Sequence, residues 1–266
     1  MALIRRCFCE SEQDLKGLLS MENLRLFSYK EIRAATNNFA PCNKLGQGGF
    51  GTVYKGVFGD GTAFAAKFLS SESEQGVKEF LAEIESISEV KHANLVRLLG
   101  CCVQRKNRIL IYEYVENNSL DHALQGSAKG EVNLSWSTRS DICMGTAKGL
   151  NYLHEEHEPN IVHRDIKASN VLLDSNYRPK IGNFGLAKLF PDDVTHIRLS
   201  TLGYLAPEYF VHGQLTKKAD VYSFGVLVLE IVSGRRTDHP VRQVFGARGS
   251  GALPSIPALS VLMRLL

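Results

Sequence analysis

The stretch HRDIKASN, from His163 to Asn170, is the most chemically dense segment of this sequence. It places the carboxylate of Asp165, the amine of Lys167 and the amide of Asn170 in one short segment between a helical pattern and the apolar run VLL. A segment that only connects two structural elements seldom carries an acid, a base and an amide so close together. The stretch therefore predicts a catalytic loop.

The periodicity of the sequence changes near Asn118, which predicts two regions of different architecture. Before Asn118, a short amphipathic helix is predicted over Phe27–Phe39, and GTVYKGVF and AFAAKFL flank the turn Gly59–Gly61 as a β-hairpin. A helical pattern follows, and then two more strand patterns, LVRLLGCCVQ and RILIYEYV. After Asn118, SLDHALQ, STRSDICMGTAKGLNYLHEE and ADVYSFGVLVLEIVSG predict helices, and the last is apolar on nearly every face. The expected fold class is α+β, an antiparallel sheet with a helix followed by a mainly helical region.

The composition is that of an ordinary globular protein and excludes several other classes. The chain has 266 residues, 44% apolar and 22% charged, and a formal net charge of +3. Its basic residues are scattered, so nucleic acid is not expected as a partner. No apolar run reaches the length of a bilayer-spanning helix. The six cysteines form no CxxC pair and no zinc spacing with histidine, so reduced thiols in a cytosolic protein are expected.

The segment MALIRRCFC leaves two interpretations of how the chain relates to membranes. Ala2 stands where myristoylation requires glycine, so that modification is excluded. Cys7 and Cys9 lie beside Arg5 and Arg6 in an arrangement suited to palmitoylation, and the alternative is an unmodified tail. We expect a cytoplasmic chain, with peripheral attachment to the inner face of the plasma membrane if these cysteines are acylated.

The segment LGQGGFGTVYKG carries Gly46, Gly48 and Gly51 in GxGxxG spacing. That spacing alone is compatible with a dinucleotide fingerprint, a phosphate-covering hairpin tip or a flexible turn. A dinucleotide fingerprint must open a helix, but the residues after Gly51 continue a strand pattern, which favours a hairpin tip over phosphates. Lys67 lies mid-strand after four uncharged residues, which predicts a buried side chain paired with Glu83 on the next helix.

These segments resemble the eukaryotic protein kinases, in particular the plant receptor-like and receptor-like cytoplasmic serine/threonine kinases. The phrases FSYKEIRAATNNF, HANLVRLLGCC, GYLAPEY and KKADVYSFGVLVLEIVSGR resemble the plant group. The pieces that match, in the family's order, are Gly46–Val53, Lys67, Glu83, His163–Asn170, Asn183–Gly185 and Ala206–Glu208.

The resemblance implies a two-lobed α+β kinase fold over residues 27–234. The N-lobe, a sheet plus a helix, would span about 27–116, and the mainly helical C-lobe about 117–234. Residues 1–26 would be a flexible lead and 235–266 an unrelated, disordered tail in place of the family's later helices, so the C-lobe is expected to be incomplete.

The resemblance also implies catalytic roles. Asp165 would accept the proton of the substrate hydroxyl, and Lys167 would neutralise the transferring phosphoryl group. This lysine also indicates serine/threonine rather than tyrosine acceptors. Lys67, paired with Glu83, would hold the phosphates of ATP. Further nucleotide contacts would come from Leu45, Gly46, Gly48, Gly51, Val53, Ala65, Tyr112 as gatekeeper, Glu113 and Val115 at the hinge, and Leu172.

Metal binding and regulation are implied in the same way. Asn170 and Asn183 would be the ligands of Mg²⁺. Arg164 would bind a phosphate placed on the following segment, since arginine there pairs with phosphorylated side chains. The candidate phosphorylation sites are Thr195, Ser200 and Thr201.

The motif Asn183-Phe184-Gly185 departs from the Asp-Phe-Gly of the family. Mg²⁺ prefers carboxylate oxygens, and asparagine offers only a neutral carbonyl, so one negative charge is lost beside the metal. Losing one such electrostatic group costs about 3 kcal/mol, or about a hundredfold in rate. We expect weakened Mg²⁺ binding and reduced activity, with nucleotide binding retained. Compared with the family, the segment between Asn183 and Glu208 is also a few residues short.

Three functional hypotheses remain open at this stage. The first is an ATP-dependent serine/threonine kinase with impaired activity, acting on a protein substrate downstream of a receptor kinase. The second is a pseudokinase that binds nucleotide or a partner kinase, which Asn183 beside an intact glycine loop favours. The third is a poorly folding product of altered splicing, which the acid-free tail favours.

Overall fold

The computed structural model describes residues 24–48, 51–69, 74–104, 107–128, 132–189, 204, 206 and 216–234. The chain divides into two compact units. The sheet unit comprises Met1–Val90 and Arg97–Tyr114, and the helical unit comprises Lys91–Val96 and Val115–Leu266. Within the described part of the chain, no helix is both long enough and apolar enough to cross a bilayer.

The sheet unit contains a six-stranded sheet with the strand order β1-β5-β6-β4-β3-β2. The pairs β2–β3, β3–β4, β4–β6 and β5–β6 are antiparallel, and the predicted hairpin is confirmed, with Val57 opposite Ala63. The strands are β1 (Arg25–Leu26), β2 (Lys44–Gly48), β3 (Gly51–Val57), β4 (Ala63–Phe68), β5 (Leu98–Gln104) and β6 (Asn107–Glu113).

The edge strand β1 was not predicted, because two residues are too few to show an alternating pattern. It falls in the stretch that the sequence assigned to the lead, and it pairs with β5 in parallel, which adds one parallel pair to the expected antiparallel sheet. Gly100 on β5 permits this approach, since a Cβ there would lie 2.0 Å from the carbonyl oxygen of Arg25. Phe27 then donates its N–H to the Cys101 carbonyl at 2.9 Å and stacks on Phe58.

Two helices flank the sheet. Helix α1 (Tyr29–Ala35) is shorter than predicted at both ends. Ser28 caps its start: the Ser28 hydroxyl accepts from the Glu31 N–H at 3.2 Å, and the Glu31 carboxylate accepts from the Ser28 N–H. The helix ends early because residues 37–39 have positive φ, which a right-handed helix does not allow. Helix α2 (Glu74–Ile87) confirms the predicted helix. One core cluster of this unit consists of Phe27, Ile32, Phe64, Ala66, Cys102, Ile109 and Ile111.

The helical unit confirms the three helices predicted after Asn118. The second of these helices is capped by Ser135, whose hydroxyl accepts the Thr138 N–H at 3.1 Å. The third helix ends at Gly234, which has the left-handed conformation with φ 65°. Leu229 departs from the expectation that the third helix is buried on every face, since 44% of it is exposed. The helices are α3 (Leu120–Ala128), α4 (Trp136–Asn151, followed by a π-helical turn at Tyr152–Glu156) and α5 (Lys217–Ser233).

Four short strands complete the helical unit and frame its loops. They form two antiparallel pairs, β7 with β10 and β8 with β9. The strands are β7 (Ile161–Val162), β8 (Val171–Leu173), β9 (Pro179–Ile181) and β10 (Lys188–Leu189). The segment His163–Asn170 therefore runs between β7 and β8 and ends in a 3₁₀ turn at Ala168–Asn170. The predicted strand VLL after it is confirmed as β8, whereas β7, only two residues long, stands between the predicted helix and the segment and was not predicted.

Four cysteines lie in the described residues, and all are free thiols. Burial raises the pKa of Cys101 to about 12 and the pKa values of Cys102 and Cys143 to about 11. These three thiols are therefore poor nucleophiles at neutral pH. Cys42 is exposed. Cys7 and Cys9, on which the acylation hypothesis depends, lie outside the described residues.

Candidate functional site

The loop between β7 and β8 is anchored by a buried carboxylate on α5. The Asp220 carboxylate accepts the backbone N–H of His163 at 2.7 Å and that of Arg164 at 2.8 Å, and its Oδ2 lies 2.9 Å from Nε2 of His154. Burial alone would raise the pKa of Asp220, but these hydrogen bonds and the nearby histidines bring it below its usual value. The loop backbone is thus fixed by a charged acceptor, which also holds Arg164 at a φ of +69°.

His163 links this loop to the segment that carries Asn183. Its Nε2 lies 3.1 Å from the Gly182 carbonyl oxygen, and its Nδ1 accepts the N–H of Asp165 at 3.2 Å. The ring packs edge-on against Phe184, with centroids 4.7 Å apart. Because burial disfavours the charged imidazolium, the pKa of His163 is lowered, and the two contacts fit a neutral ring protonated at Nε2.

Asp165 is fully buried and central to a compact cluster of the predicted catalytic residues. The Lys167 ammonium lies 2.9 Å from the Asp165 carboxylate. The Asn170 amide donates to the main-chain oxygen of Asp165 and to its Oδ2, both at 2.7 Å. A carboxylate held by an ammonium and an amide can accept a proton from a nearby hydroxyl while the lysine faces incoming negative charge.

Asn183 joins the same cluster as a hydrogen-bond donor. Its Nδ2 lies 3.1 Å from Oδ1 of Asn170 and 3.4 Å from Oδ2 of Asp165. Its backbone is left-handed, with φ 67°, a conformation that asparagine tolerates better than most residues. The structure therefore brings Asp165, Lys167, Asn170 and Asn183 together in one cluster.

An Mg²⁺ ion, which the resemblance implies, does not fit this arrangement. The Asn170 and Asp165 oxygens that would face it already accept N–H groups. In the described ranges, no buried side-chain nitrogen or oxygen lacks a hydrogen-bond partner, and no three His, Cys, Asp or Glu side chains could hold a metal together. The donor set is one carboxylate, already paired with Lys167, and two neutral amides, a poor match for a hard dication.

The sheet unit contains the predicted pair of Lys67 and Glu83. Lys67 on β4 and Glu83 on α2 are both buried, and the ammonium contacts Oε1 of the carboxylate. The Tyr112 hydroxyl donates to the other oxygen, Oε2. Burial raises the pKa of Glu83, and the charge of Lys67 opposes that shift. The predicted pairing of Lys67 with Glu83 is confirmed. The ion pair fixes the position of the Lys67 ammonium group beside strand β4.

The glycine-rich segment forms the edge of the sheet. Gly46 and Gly48 lie on β2, Gly51 opens β3, and residues 49–50 lie outside the described residues. Gly51 has φ 115°, and a Cβ there would lie 1.8 Å from the Phe68 carbonyl oxygen. Only glycine therefore fits at this position, whereas a Cβ on Gly46 or Gly48 would meet nothing within 4 Å.

The remaining predicted nucleotide contacts fall in both units. In the sheet unit, Val53 lies opposite Lys67 and Ala65 lies opposite Tyr112, Leu45 is exposed on β2, and Glu113 ends β6 with its N–H bonded to the Arg97 carbonyl. In the helical unit, Val115 is buried and Leu172 lies on β8.

Of the predicted regulatory residues, only Arg164 lies in the described residues. Its guanidinium donates to the Leu186 carbonyl at 3.2 Å. Thr195, Ser200 and Thr201 lie outside the described residues, as does Glu208.

Sequence reasoning missed Asp220, the anchor of the catalytic loop, and its neighbour His154. A carboxylate in a largely apolar helix was the available signal, because a buried charge requires partners. Tyr204 and Glu230 were also missed: the Tyr204 hydroxyl donates to the Glu230 carboxylate, and Ser223 donates to the Tyr204 carbonyl at 2.7 Å. These contacts tie residue 204 to α5.

Comparison with known proteins agrees with this geometry. A family model described as a protein kinase domain matches residues 39–243. Cold-responsive protein kinase 1 of Arabidopsis thaliana is 56% identical over 223 residues, which cover 82% of this chain and 57% of that protein. A probable LRR receptor-like serine/threonine-protein kinase of Arabidopsis thaliana is 59% identical over 229 residues, 85% of this chain and 22% of that protein. The chain thus spans 57% and 22% of the lengths of these two relatives.

Proposed function

This chain belongs to the protein kinase family, and on that premise we propose that it binds ATP and transfers the γ-phosphate to serine or threonine hydroxyls of a protein, at a rate well below that of its relatives. The observation that carries the proposal is the buried Asp165 carboxylate, held by Lys167 and Asn170 in a loop that Asp220 anchors.

Asp165 is the group proposed to accept the proton of the acceptor hydroxyl. Its position is fixed by the contacts of Lys167 and Asn170, and such positioning is most of what phosphoryl transfer requires of a protein. Lys167 would then face the oxygens of the transferring phosphoryl group and stabilise their charge. In the sheet unit, Lys67 would hold the ATP phosphates, because Glu83 and Tyr112 fix its ammonium by way of one carboxylate.

Two observations support serine or threonine as the acceptor. Lys167 follows Asp165 by two residues, which resembles the serine/threonine group of kinases. The receptor-like relative at 59% identity is named as a serine/threonine-protein kinase.

The reduced rate rests on Asn183. Protein kinases generally use ATP together with Mg²⁺, but the side chains around Asn183 do not fit that ion, so the chemistry must come from the chain's own groups. The loss of one preorganised electrostatic contribution lowers the rate by about a hundredfold or more. The nucleotide contacts of the sheet unit do not involve Asn183 and are expected to remain.

A second candidate function is a non-catalytic module that binds nucleotide or a partner kinase. The specific observation in its favour is that the Asn183 amide donates into the catalytic cluster rather than offering a carboxylate to a metal. The two candidates share nucleotide binding and differ only in turnover.

The proposed partners follow from the family and the relatives. They are a protein substrate and an upstream receptor kinase, since several relatives are receptor-like kinases. Arg164 is proposed to bind a phosphate on Thr195, Ser200 or Thr201. We place the chain in the cytoplasm, with palmitoylation of Cys7 and Cys9 as the route to the inner face of the plasma membrane. Serine substitution of both cysteines should release a membrane-bound chain to the soluble fraction, and unchanged fractionation would contradict this.

The decisive experiment is the intact mass of the purified chain and of a generic protein substrate after incubation with MgATP. The matched blank is Asp165→Asn, which removes the proton acceptor but keeps similar size. Added phosphate that is absent from the blank supports the kinase. No added phosphate in a chain that melts cooperatively and is stabilised by ATP supports the binding module. No stabilisation by ATP contradicts both.

A further inference from the structure

The Asn183 amide faces two acceptor oxygens of the cluster. Its Nδ2 is 3.1 Å from Oδ1 of Asn170 and 3.4 Å from Oδ2 of Asp165. An amide nitrogen carries two hydrogens with partial positive charge, so it can serve two such oxygens at once. An ion entering here would have to displace these hydrogen bonds.

The net charge of the cluster also disfavours a divalent cation. Its charged side chains are the Asp165 carboxylate and the Lys167 ammonium, which lie 2.9 Å apart and cancel formally. Asn170 and Asn183 add none. Mg²⁺ gives up its water reluctantly and binds where carboxylates or phosphates supply negative charge. The side chains of these four residues supply no net charge for that exchange.

The backbone around residue 183 would accept either an amide or a carboxylate. Asparagine and aspartate are both tolerated at its φ of 67°, and the Gly182 N–H donates to the Asn170 carbonyl at 2.8 Å, which holds the segment in place. An aspartate here would turn a donor into an acceptor that faces the Asp165 carboxylate. Two like charges so close repel each other, and a bound cation would relieve the repulsion.

We infer that the Asn183 amide is a built-in substitute for the metal ion, so that this chain binds nucleoside triphosphate in its metal-free form and gains no affinity from Mg²⁺. The inference deepens the proposed function and rests on its nucleotide binding. It assigns Asn183 a positioning role: the amide keeps Asp165 and Asn170 in the arrangement that a metal ion would otherwise maintain.

The first test uses Mg²⁺ alone and needs no nucleotide. The full chain, Asn183→Asp and Asn133→Asp are melted in EDTA and in excess MgCl2 at matched ionic strength. Asn133 is an exposed loop residue of the helical unit and controls for the added charge. The wild type and Asn133→Asp should shift by less than about 1 °C, and Asn183→Asp should melt at least about 3 °C higher with Mg²⁺, as expected for a ligand in excess. An equal rise in the wild type would overturn the inference.

The second test is calorimetric titration of ATP into the same proteins in EDTA and in MgCl2. The wild-type Kd should change by less than about twofold, and Asn183→Asp should bind at least about tenfold more tightly with Mg²⁺, within the usual range of coupling between two ligands. A tenfold gain in the wild type would overturn the inference. Absence of ATP binding in both buffers would instead defeat the proposed function, and the metal-only test would still decide the role of Asn183. The wild-type comparisons need no variant, so a poorly folding Asn183→Asp leaves both tests decisive.

Discussion

Asp220 Oδ2 lies 2.7 Å from the backbone nitrogen of His163, a residue 57 positions earlier in the chain. The same carboxylate accepts the Arg164 N–H and contacts His154, so one buried charge satisfies three donors. It thereby sets the backbone from which Asp165 extends. The loop that carries Asp165 is thus positioned by a residue that has no proposed part in the chemistry.

Replacing Asp220 should therefore impair both stability and activity. Asp220→Ala would leave the N–H groups of His163 and Arg164, and the His154 ring, without their acceptor, and the free energy of unfolding should fall by about 3–5 kcal/mol. Asp220→Asn, which keeps one acceptor oxygen, should lose less. Urea denaturation of each variant measures this, with Asp141→Ala on the exposed side of α4 as the control, expected to change by less than about 0.5 kcal/mol. Equal stability of Asp220→Ala and Asp141→Ala would contradict the anchoring role.

Breaking the pair of Lys67 and Glu83 should separate stability from function. Lys67→Met leaves the Glu83 carboxylate buried without its cation, so the free energy of unfolding should drop by about 3–5 kcal/mol. In the double variant Lys67→Met with Glu83→Leu the unpaired Glu83 carboxylate is removed, and part of that stability should return, less the cost of leaving the Tyr112 hydroxyl without its acceptor. ATP binding should be lost in both variants, because the ammonium is gone. Recovery of ATP affinity in the double variant would show that Lys67 does not hold the phosphates.

The buried imidazole of His163 should make the protein less stable in mild acid. Burial lowers its pKa below 6.5; the charges of Asp220 and Asp165 and the Gly182 carbonyl oppose the shift, and Lys167 adds to it. Between pH 6.5 and the lower folded pKa, the unfolded chain binds a proton that the native chain does not. The free energy of unfolding should thus fall as the pH drops through this window, by at most about 1.4 kcal/mol per unit from this one group.

Urea denaturation at a series of pH values below neutrality measures that slope. His163→Gln cannot take up the proton, so its slope should be shallower than that of the wild type. His122→Gln, which changes an exposed histidine on α3, should keep the wild-type slope. The same slope in His163→Gln as in the wild type would assign the acid sensitivity to other groups, among them His92, whose pKa burial also lowers.

Gly51 should be the least replaceable glycine of the segment Gly46–Gly51, which is proposed to cover the ATP phosphates. Gly51→Ala would drive a Cβ into the Phe68 carbonyl at a φ that side chains rarely adopt, so the hairpin must shift. We expect a loss of about 2 kcal/mol or more in the free energy of unfolding, together with weaker ATP binding. Gly59→Ala, where an added Cβ would meet nothing within 4 Å, is the matched control and should be nearly neutral. A neutral Gly51→Ala would show that β3 has more freedom than this geometry allows.

The fold class, the order of the helices and the candidate catalytic segment could all be predicted from the amino-acid sequence alone. Alternating and helical periodicities are local properties, so the β3–β4 hairpin, α2 and α5 could be predicted from their own residues. The motif HRDIKASN and Asn183 in its Asn-Phe-Gly motif could be identified in the same way, because each motif consists of residues that are neighbours in the sequence. Lys67 and Glu83 could be paired because a mid-strand ammonium among uncharged residues requires a partner.

Contacts between residues far apart in the chain could not be predicted in this way, because they form only when the folded elements pack together. No local pattern marks Asp220 as the acceptor for His163 and Arg164, since the hydrogen bonds exist only when α5 packs beside the loop. Strand β1 depends on Gly100, which lies some 75 residues further along the chain. The direction of the Asn183 amide, toward Asp165 and Asn170, is likewise set by the packed cluster, because a side chain orients toward the partners that folding brings to it.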